Sequence, residues 1–236
     1  MAKFVTTESF WDLFPAAKIG VVTAKGISND IDDETSAKIK ADLEESFPKA
    51  KEYLTADVFS ENSVIAVWRE AFRKFKTKKG VRSSIEAMLK RVYKDNPVGS
   101  INPIVDIYNA ASLTYALPVG GEDIDHFAGD LLLTVADGGE DFLALGDEDP
   151  QPALPGEVIY KDDLGAVCRC WNWRDGQRTM LTDDTKNAFL IIECVDPSRE
   201  DDLNAALERL AEKTAEYLGA ETKISIVDAD NKEIEI

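Results

Sequence analysis

The sequence predicts an α+β fold, in which helices dominate the first half of the chain and strands the second. Apolar residues recur at helical spacing in four segments between residues 32 and 116. After residue 121, short runs of β-branched and aromatic residues alternate with Gly, Pro and Asp, and one amphipathic helix follows near the C-terminus. Separate blocks of helices and strands are typical of α+β proteins rather than of repeating βαβ units.

The first half begins with a short strand and a helical turn between Phe4 and Pro15. A buried strand follows over residues 18–25, where KIGVVTAK is rich in β-branched residues and ends at a glycine. Four helices are then predicted, over residues 32–53, 61–75 and 84–93 and from residue 103 onwards. Ser60 and Asn102 are the expected N-caps of the second and fourth helices, and Pro103 suits a first helical position.

The second half contains four predicted strands, over residues 131–136, 157–160, 166–173 and 188–195. A helix over 197–218 ends at Gly219, and the segments 223–227 and 233–236 are expected to form a closing hairpin. We interpret the Gly120-Gly121 and Gly138-Gly139 pairs as turns. We expect all 236 residues to form a single domain.

The composition excludes several classes of protein. No apolar run approaches the ~20 residues that a membrane span requires, and no secretory signal is visible. The single histidine, His126, and the three cysteines do not form a zinc-binding pattern, and an odd number of cysteines argues against a disulfide framework. Motifs for a P-loop, a dinucleotide-binding loop and a nucleophile elbow are missing. We therefore expect a cytoplasmic protein without metal or cofactor.

The charge of the chain is unevenly distributed. The formal net charge is −18, yet residues 68–94 contain ten Lys or Arg against two Glu, a local net of +8, so the remainder carries −26. The densest part, residues 73–82, is called the basic segment below. One interpretation is a solvated helix end, and the other is a docking site for the phosphates of a nucleic acid. On the second interpretation, the candidate RNA-binding residues are Arg73, Lys74, Lys76, Lys78, Lys79 and Arg82.

Two further segments combine apolar and short polar residues. The first, NPIVDIYNAASLTYALPVGGED over residues 102–123, places Asn102, Asp106, Asn109 and Ser112 along one helical stripe. This stripe is either a solvated face or the wall of a pocket. The second, CRCWNWRDGQRTMLTDDTKNAFLIIE over residues 168–193, alternates Trp171 and Trp173 with polar residues. The alternative to a binding role is that both tryptophans pack in the core beside a surface hairpin. This alternative is favoured more for the tryptophans than for Arg174.

Taken together, these two segments resemble the tRNA-binding and editing module of the bacterial phenylalanyl-tRNA synthetase beta subunit. The first segment matches the family at Asn102, Val105, Asp106, Asn109 and Pro118, and the second at Asp183, Thr185, Asn187 and Glu193. The resemblance covers about residues 68–195, with an N-terminal strand and helix extension and a C-terminal helix and hairpin outside it. It implies packed β-sheets in a sandwich-like core flanked by helices.

The resemblance also implies a function. In the family, the helix and the turn after it form the wall of a pocket that receives the aminoacyl end of tRNA, and the module hydrolyses tyrosine wrongly attached to phenylalanine tRNA. The expected partner is therefore tRNA, and the expected activity is hydrolysis of a mischarged aminoacyl-tRNA in trans. The expected pocket residues are Asn102, Asp106, Asn109, Pro118, Gly120, Gly121, Arg174 and Thr185.

Two departures from the family leave the catalytic residues unknown. Gly120 stands where the family has a histidine. In the family, a glycine-rich turn ends in a glutamate that recognises the tyrosine hydroxyl, and residues 173–177 take the place of that turn here. Without the histidine, the N–H groups of Gly120 and Gly121 at a tight turn are candidates for stabilising the oxyanion. A binding module that has lost the chemistry, or a domain that uses the fold for another small molecule or protein, is the alternative.

Overall fold

The computed structural model describes residues 2–236 and confirms the α+β class. Within those residues the chain forms six α-helices and ten β-strands. The helices are α1 Glu8–Leu13, α2 Asp33–Glu52, α3 Ser63–Ala71, α4 Ser84–Tyr93, α5 Pro103–Tyr115 and α6 Glu200–Leu218. The strands are β1 Lys3–Thr6, β2 Lys18–Lys25, β3 Val119–Asp123, β4 Leu131–Val135, β5 Val158–Asp162, β6 Gly165–Arg169, β7 Arg174–Asp175, β8 Asn187–Cys194, β9 Glu221–Val227 and β10 Glu233–Glu235.

The strands form two sheets. The six-stranded sheet has the order β10-β1-β4-β5-β6-β7 and is antiparallel except between β1 and β4. The four-stranded sheet has the order β3-β8-β2-β9 and is antiparallel throughout. Its centre is the long pair β2 and β8, in register from Lys18 opposite Cys194 to Lys25 opposite Asn187. The short strand β3 therefore lies at one edge of this sheet.

One hydrophobic core lies between the two sheets. The ring of Phe4 on β1 packs 5.1 Å from that of Phe189 on β8 and 6.1 Å from that of Tyr160 on β5. Helices α1 and α3 extend this core at one end, where Phe10 and Trp68 pack edge-on against Trp171. Side chains that alternate along each strand thus fill the space between the sheets, as in a β-sandwich.

A second core lies on the opposite face of the four-stranded sheet, beneath α2, α5 and α6. Gly20 on β2 lets α6 approach closely, because a Cβ atom there would lie 2.6 Å from Cδ1 of Leu207. The central strands β2 and β8 are therefore buried on both faces of the sheet, which explains their nearly continuous apolar runs.

The helix ends follow the local sequence. The side chain of Asp32 accepts a hydrogen bond from the N–H of Thr35 at 2.7 Å, and that of Asn102 accepts one from Val105 at 3.0 Å. Gly219 ends α6 with a φ of 66°. Among the helices of residues 2–236, none combines the length and the apolar character needed to cross a bilayer.

Four local predictions are wrong. Helix α3 begins at Ser63 with Asn62 at its N-cap position, so Ser60 is not the cap. The segments β9 and β10 do not form a hairpin, because β9 pairs with β2 in one sheet and β10 pairs with β1 in the other. The predicted strand over 166–173 ends at Arg169, where the next two residues adopt left-handed conformations.

The fourth wrong prediction concerns Gly120 and Gly121, which form part of strand β3 rather than a turn. The chain bends earlier, at Ala116, whose φ of 45° ends α5 in a left-handed conformation. Pairing of β3 with β8 then fixes both glycines in an extended backbone. Long-range pairing outweighs the low strand propensity of two consecutive glycines.

Candidate functional site

A cavity of about 70 Å³ lies between the two sheets, next to the edge strand β3. Strands β3 and β8 form one wall, strands β4 to β7 form the other, and the turn over 171–173 meets the first residue of α4 at one end. Most of its remaining lining is apolar, and Gly120 and Gly121 line it along β3. The polar side chains that line it are those of Ser84, Glu122, Tyr160, Cys168, Asn172, Asp175 and Glu193.

The two glycines of β3 face opposite sides of the strand. A Cβ atom on Gly120 would lie 3.7 Å from Cγ2 of Ile191, with no other atom within 4 Å, so this position leaves space inside the cavity. A Cβ atom on Gly121 would collide with the side chains of Leu181 and Leu190, at 2.7 and 2.9 Å. Because strand residues alternate, Glu122 lies on the same face as Gly120 and its side chain reaches the cavity.

Glu193 on β8 is held between two donors. The hydroxyl of Tyr160 donates a hydrogen bond to its Oε1 at 2.8 Å, and the side-chain amide of Asn172 donates one to its Oε2 at 3.2 Å. Burial raises the pKa of Glu193 to about 8. Near neutral pH this carboxyl group is therefore able both to hold and to release a proton, as a general base or acid requires.

Two more carboxyl groups line the same cavity, and both have raised pKa values. Burial raises the pKa of Glu122 well above its usual range, and the nearby charge of Asp175 adds to the shift. Burial likewise raises the pKa of Asp175. The Cys168 thiol beside them has a pKa raised mainly by burial, so it is not a reactive thiolate. Three carboxyl groups from different strands thus line the same cavity.

A strained turn closes one end of the cavity. Cys170 and Trp171 have φ values of 47° and 65°, which bulky side chains rarely adopt. The turn buries the Trp171 indole completely and presents Asn172 to the carboxylate of Glu193. The carbonyl of Asn172 also accepts a hydrogen bond from the N–H of Ser84 at 3.1 Å, which joins the turn to α4. Such left-handed residues persist only where the surrounding structure holds them, and they cluster at functional sites.

The polar residues predicted on α5 lie apart from the cavity lining. Asn102 caps the helix, as predicted. Asp106 is buried and accepts hydrogen bonds from the N–H of Ile101, at 2.8 Å, and from the hydroxyl of Ser100. Asn109 is also buried. In the structure, Asp106 therefore holds the chain segment that leads into α5, rather than facing the space between the sheets.

Of the other predicted pocket residues, only Gly120 and Gly121 line the cavity. The carbonyl of Pro118 accepts a hydrogen bond from the N–H of Glu193 at 3.3 Å and so aligns β3 with β8. Thr185 is buried and donates to Asp123 at 2.8 Å. Arg174 is exposed and pairs with Asp147 at 3.2 Å. Pro118 and Thr185 thus support β3, Gly120 and Gly121 contribute its backbone to the cavity, and Arg174 lies outside both.

The basic segment runs past the same end of the cavity. Its Phe75 ring lies 6.5 Å from that of Trp171, and the N–H of Lys76 donates to the carbonyl of Gly156 at 2.9 Å. The segment ends two residues before Ser84, which lines the cavity. Its charged side chains are all exposed, namely Arg73, Lys74, Lys76, Lys78, Lys79 and Arg82.

Only part of this positive charge is neutralised inside the protein. Arg73 pairs with Glu70, and Arg82 lies 3.8 Å from Glu86, which is already held by Arg69. Within residues 2–236, Lys76 and Lys79 make no side-chain ion pair. The segment therefore presents net positive charge to solvent beside the cavity.

Sequence reasoning did not identify most of the residues that line the cavity. Glu193 appeared only as a family match, and Glu122 only as a neighbour of the two glycines. The sign that could have revealed Glu122 is its position two residues after Gly120, which places both on one face if the segment is a strand. His126, in contrast, is exposed, with its Nδ1 3.4 Å from Oδ2 of Asp123, and it does not line the cavity.

The comparisons with known proteins agree with this architecture. The solved N-terminal fragment of the phenylalanyl-tRNA synthetase beta subunit from Pyrococcus horikoshii matches with a TM-score of 0.50 and 12% identity. The match covers 93% of this chain and 49% of that fragment, so the chain spans about half its length. At this identity the likeness establishes the fold alone. No curated protein is significantly similar to the chain in sequence.

The family model for the B3/4 domain matches residues 67–221. This range includes β3 to β8, which supply most of the cavity lining, together with the basic segment. It also confirms the resemblance inferred from the two sequence segments. The chain belongs to the B3/4 domain family.

Proposed function

We propose that the protein binds aminoacylated tRNA and hydrolyses the ester bond of a mischarged aminoacyl-tRNA in trans. The observation that carries this proposal is the position of the carboxyl-lined cavity beside the exposed basic segment. Phosphates of the acceptor end would lie along the basic segment, and the aminoacyl group would enter between the sheets past Ser84. The family and the likeness to a fragment of a phenylalanyl-tRNA synthetase subunit support a tRNA-related role.

The chemistry proposed for the cavity relies on Glu193. Hydrolysis of an ester requires a water to lose a proton as it attacks the carbonyl carbon, and a carboxyl group with a pKa of about 8 is suited to accept it. Tyr160 and Asn172 fix the orientation of this carboxyl group. An aminoacyl ester is an activated bond, so positioning and one base can supply much of the required acceleration.

Gly120 and Gly121 lie in a strand, so their role in the site differs from the oxyanion-binding role expected of a tight turn. Successive N–H groups of a strand point in opposite directions, so Gly120 and Gly121 do not form a two-donor oxyanion site. Instead, the missing side chain of Gly120 leaves room for the substrate beside β3. This role is consistent with a glycine at the position where the family has histidine.

The test is hydrolysis of a panel of correctly and wrongly charged tRNAs by the purified protein. We expect release of the amino acid from at least one mischarged tRNA, and loss of this activity in Glu193→Gln, while Glu45→Gln on the exposed face of α2 retains it. Because the family histidine is replaced, a binding module without chemistry is the second candidate. Salt-dependent tRNA binding with no hydrolysis of any charged tRNA would establish that second function and refute the first.

A further inference from the structure

We infer that a cleft between α3, the basic segment and the first turn of α4 binds a nucleoside monophosphate, with its phosphate between Arg69 and Arg82. This cleft, called the arginine cleft below, has a volume of about 310 Å³ and shares no lining residue with the cavity between the sheets. The inference rests on the proposed function only for the source of the nucleotide, which is either free in solution or part of an RNA strand.

The first argument is the arrangement of two guanidinium groups around one buried carboxylate. Glu86 is 3% exposed and accepts hydrogen bonds from Nε and Nη2 of Arg69, at 3.1 and 2.7 Å. Nη1 of Arg82 lies 3.8 Å from Oε1 of Glu86, the same oxygen that Nη2 of Arg69 contacts. The two guanidinium groups are therefore close neighbours, held on either side of a fixed carboxylate. Planar guanidinium groups bind phosphate oxygens through paired N–H donors.

The second argument is that the arginine cleft has positive charge and donors to spare. Arg69, Arg73 and Arg82 line it, and Glu86 is its only acidic lining residue, which leaves two positive charges in the lining. Within residues 2–236, the side chain of Arg82 makes no hydrogen bond, and Nη1 of Arg69 is likewise not engaged by Glu86. A phosphate monoester carries about two negative charges at neutral pH and has acceptor oxygens for these donors.

The third argument is that the arginine cleft is larger than a phosphate group and has an apolar side. Its volume lies at the lower end of the range of about 300–1,000 Å³ that is typical of small-molecule sites. Trp68, Phe72 and Val81 supply the apolar part of the lining. An inorganic phosphate would leave this part in contact with water, whereas the sugar and base of a nucleotide would cover it. Nucleobases pack well beside aromatic rings and guanidinium planes.

Four probes test the inference by isothermal titration calorimetry at low salt, namely AMP, adenosine, ribose 5-phosphate and inorganic phosphate. Adenosine lacks the charge, ribose 5-phosphate lacks the base, and inorganic phosphate lacks both base and sugar. We expect saturable binding of AMP, about tenfold or more tighter than that of each other probe.

Variants show whether the site is the arginine cleft. Arg82→Gln leaves the hydrogen bonds between Arg69 and Glu86 in place, and we expect it to weaken AMP binding by about tenfold without changing that of adenosine. Arg91→Gln removes the same charge from an exposed position near the other end of α4, outside the lining, and should change nothing. Melting transitions establish that both variants fold, and Arg73→Gln replaces Arg82→Gln if the latter does not.

A competition experiment with uncharged tRNA identifies the source of the nucleotide. If the arginine cleft receives a nucleotide of an RNA strand, tRNA should displace AMP, and Arg82→Gln should weaken the binding of both. If it holds a free nucleotide, the affinity for AMP should be the same with and without saturating tRNA.

Several results would overturn the inference. Absence of saturable AMP binding at millimolar concentrations, equal affinities for AMP and any one of the other three probes, or equal effects of Arg82→Gln and Arg91→Gln would each do so. The outcome is separable from that of the proposed function. Hydrolysis of charged tRNA without AMP binding refutes only the inference, and AMP binding without hydrolysis refutes only the proposed activity.

Discussion

The neighbouring glycines of β3 allow a matched pair of substitutions, because a methyl group at each meets a different environment. At Gly120 the added carbon would lie 3.7 Å from Ile191, in ordinary contact, and would project into the cavity. At Gly121 it would lie 2.7 Å from Leu181 and 2.9 Å from Leu190, the latter fully buried. The same chemical change therefore tests ligand space at one position and core packing at the next.

The expected stabilities differ in sign. Gly120→Ala fits its extended backbone and reduces the freedom of the unfolded chain, which contributes about 0.4–1 kcal/mol of stability. Gly121→Ala overpacks the layer beneath α5 and costs about 1–3 kcal/mol. For a chain of this size, a change of 1 kcal/mol shifts the melting temperature by about 2–4 °C. We therefore expect Gly121→Ala to melt roughly 2–12 °C lower than the wild type and Gly120→Ala to melt at or slightly above it.

The activities should follow the opposite order. In a deacylation assay at a temperature where both variants are folded, Gly120→Ala should lose activity because its methyl group occupies ligand space. Gly121→Ala should retain activity because its methyl group points away from the cavity. Gly120→Val, with two further methyl groups, should be inactive. A folded Gly120→Val protein with full activity would refute this location of the site.

Three further predictions concern charge and protons. If the basic segment binds phosphates, replacing its four lysines by alanine should reduce the slope of log tRNA affinity against log salt concentration by about three. These lysines are Lys74, Lys76, Lys78 and Lys79. A control variant with four other exposed lysines replaced by alanine should keep the wild-type slope; these are Lys25, Lys40, Lys186 and Lys223. Equal slopes in the two variants would mean that the basic segment is only a solvated surface. Burial raises the folded pKa of Glu193 to about 8, above about 4.3 in an unfolded chain, so the folded state retains a proton that the unfolded chain releases. The free energy of unfolding should therefore fall as pH rises between these values, and it should fall less in Glu193→Gln. Denaturant titrations in which the wild type and Glu193→Gln show the same dependence of unfolding free energy on pH would contradict this. Finally, His126→Ala should leave hydrolysis unchanged, because the ring is exposed and outside the cavity lining, and an inactive variant would instead make His126 part of the site.

Elements with strong local signals were predictable from the sequence. Strand β2 and helix α4 have the predicted bounds, because β-branched residues ending at Gly26 and a regular apolar spacing need no distant partner. The start of α5 was predicted from Asn102 and Pro103 for the same reason. Strand β3 was missed because its glycines have low strand propensity, and only pairing with β8 makes them extended.

The cavity was less accessible to sequence reasoning because it is assembled from distant parts of the chain. Glu122, Asp175 and Glu193 lie on three strands of two different sheets, so their proximity depends on how the sheets pack. The polar stripe of α5 drew attention because its spacing is visible in the sequence. Asp106 in that stripe satisfies local backbone groups, a role that looks the same in sequence as a pocket residue.

The most direct test of the account is a crystal structure with an aminoacyl-adenosine analogue in which an amide replaces the ester, so that hydrolysis does not consume it. We predict that the aminoacyl group occupies the cavity beside Gly120. The carbonyl carbon should lie close enough to Glu193 for one water to bridge them. An analogue bound elsewhere on the protein, with this cavity unchanged, would contradict the account.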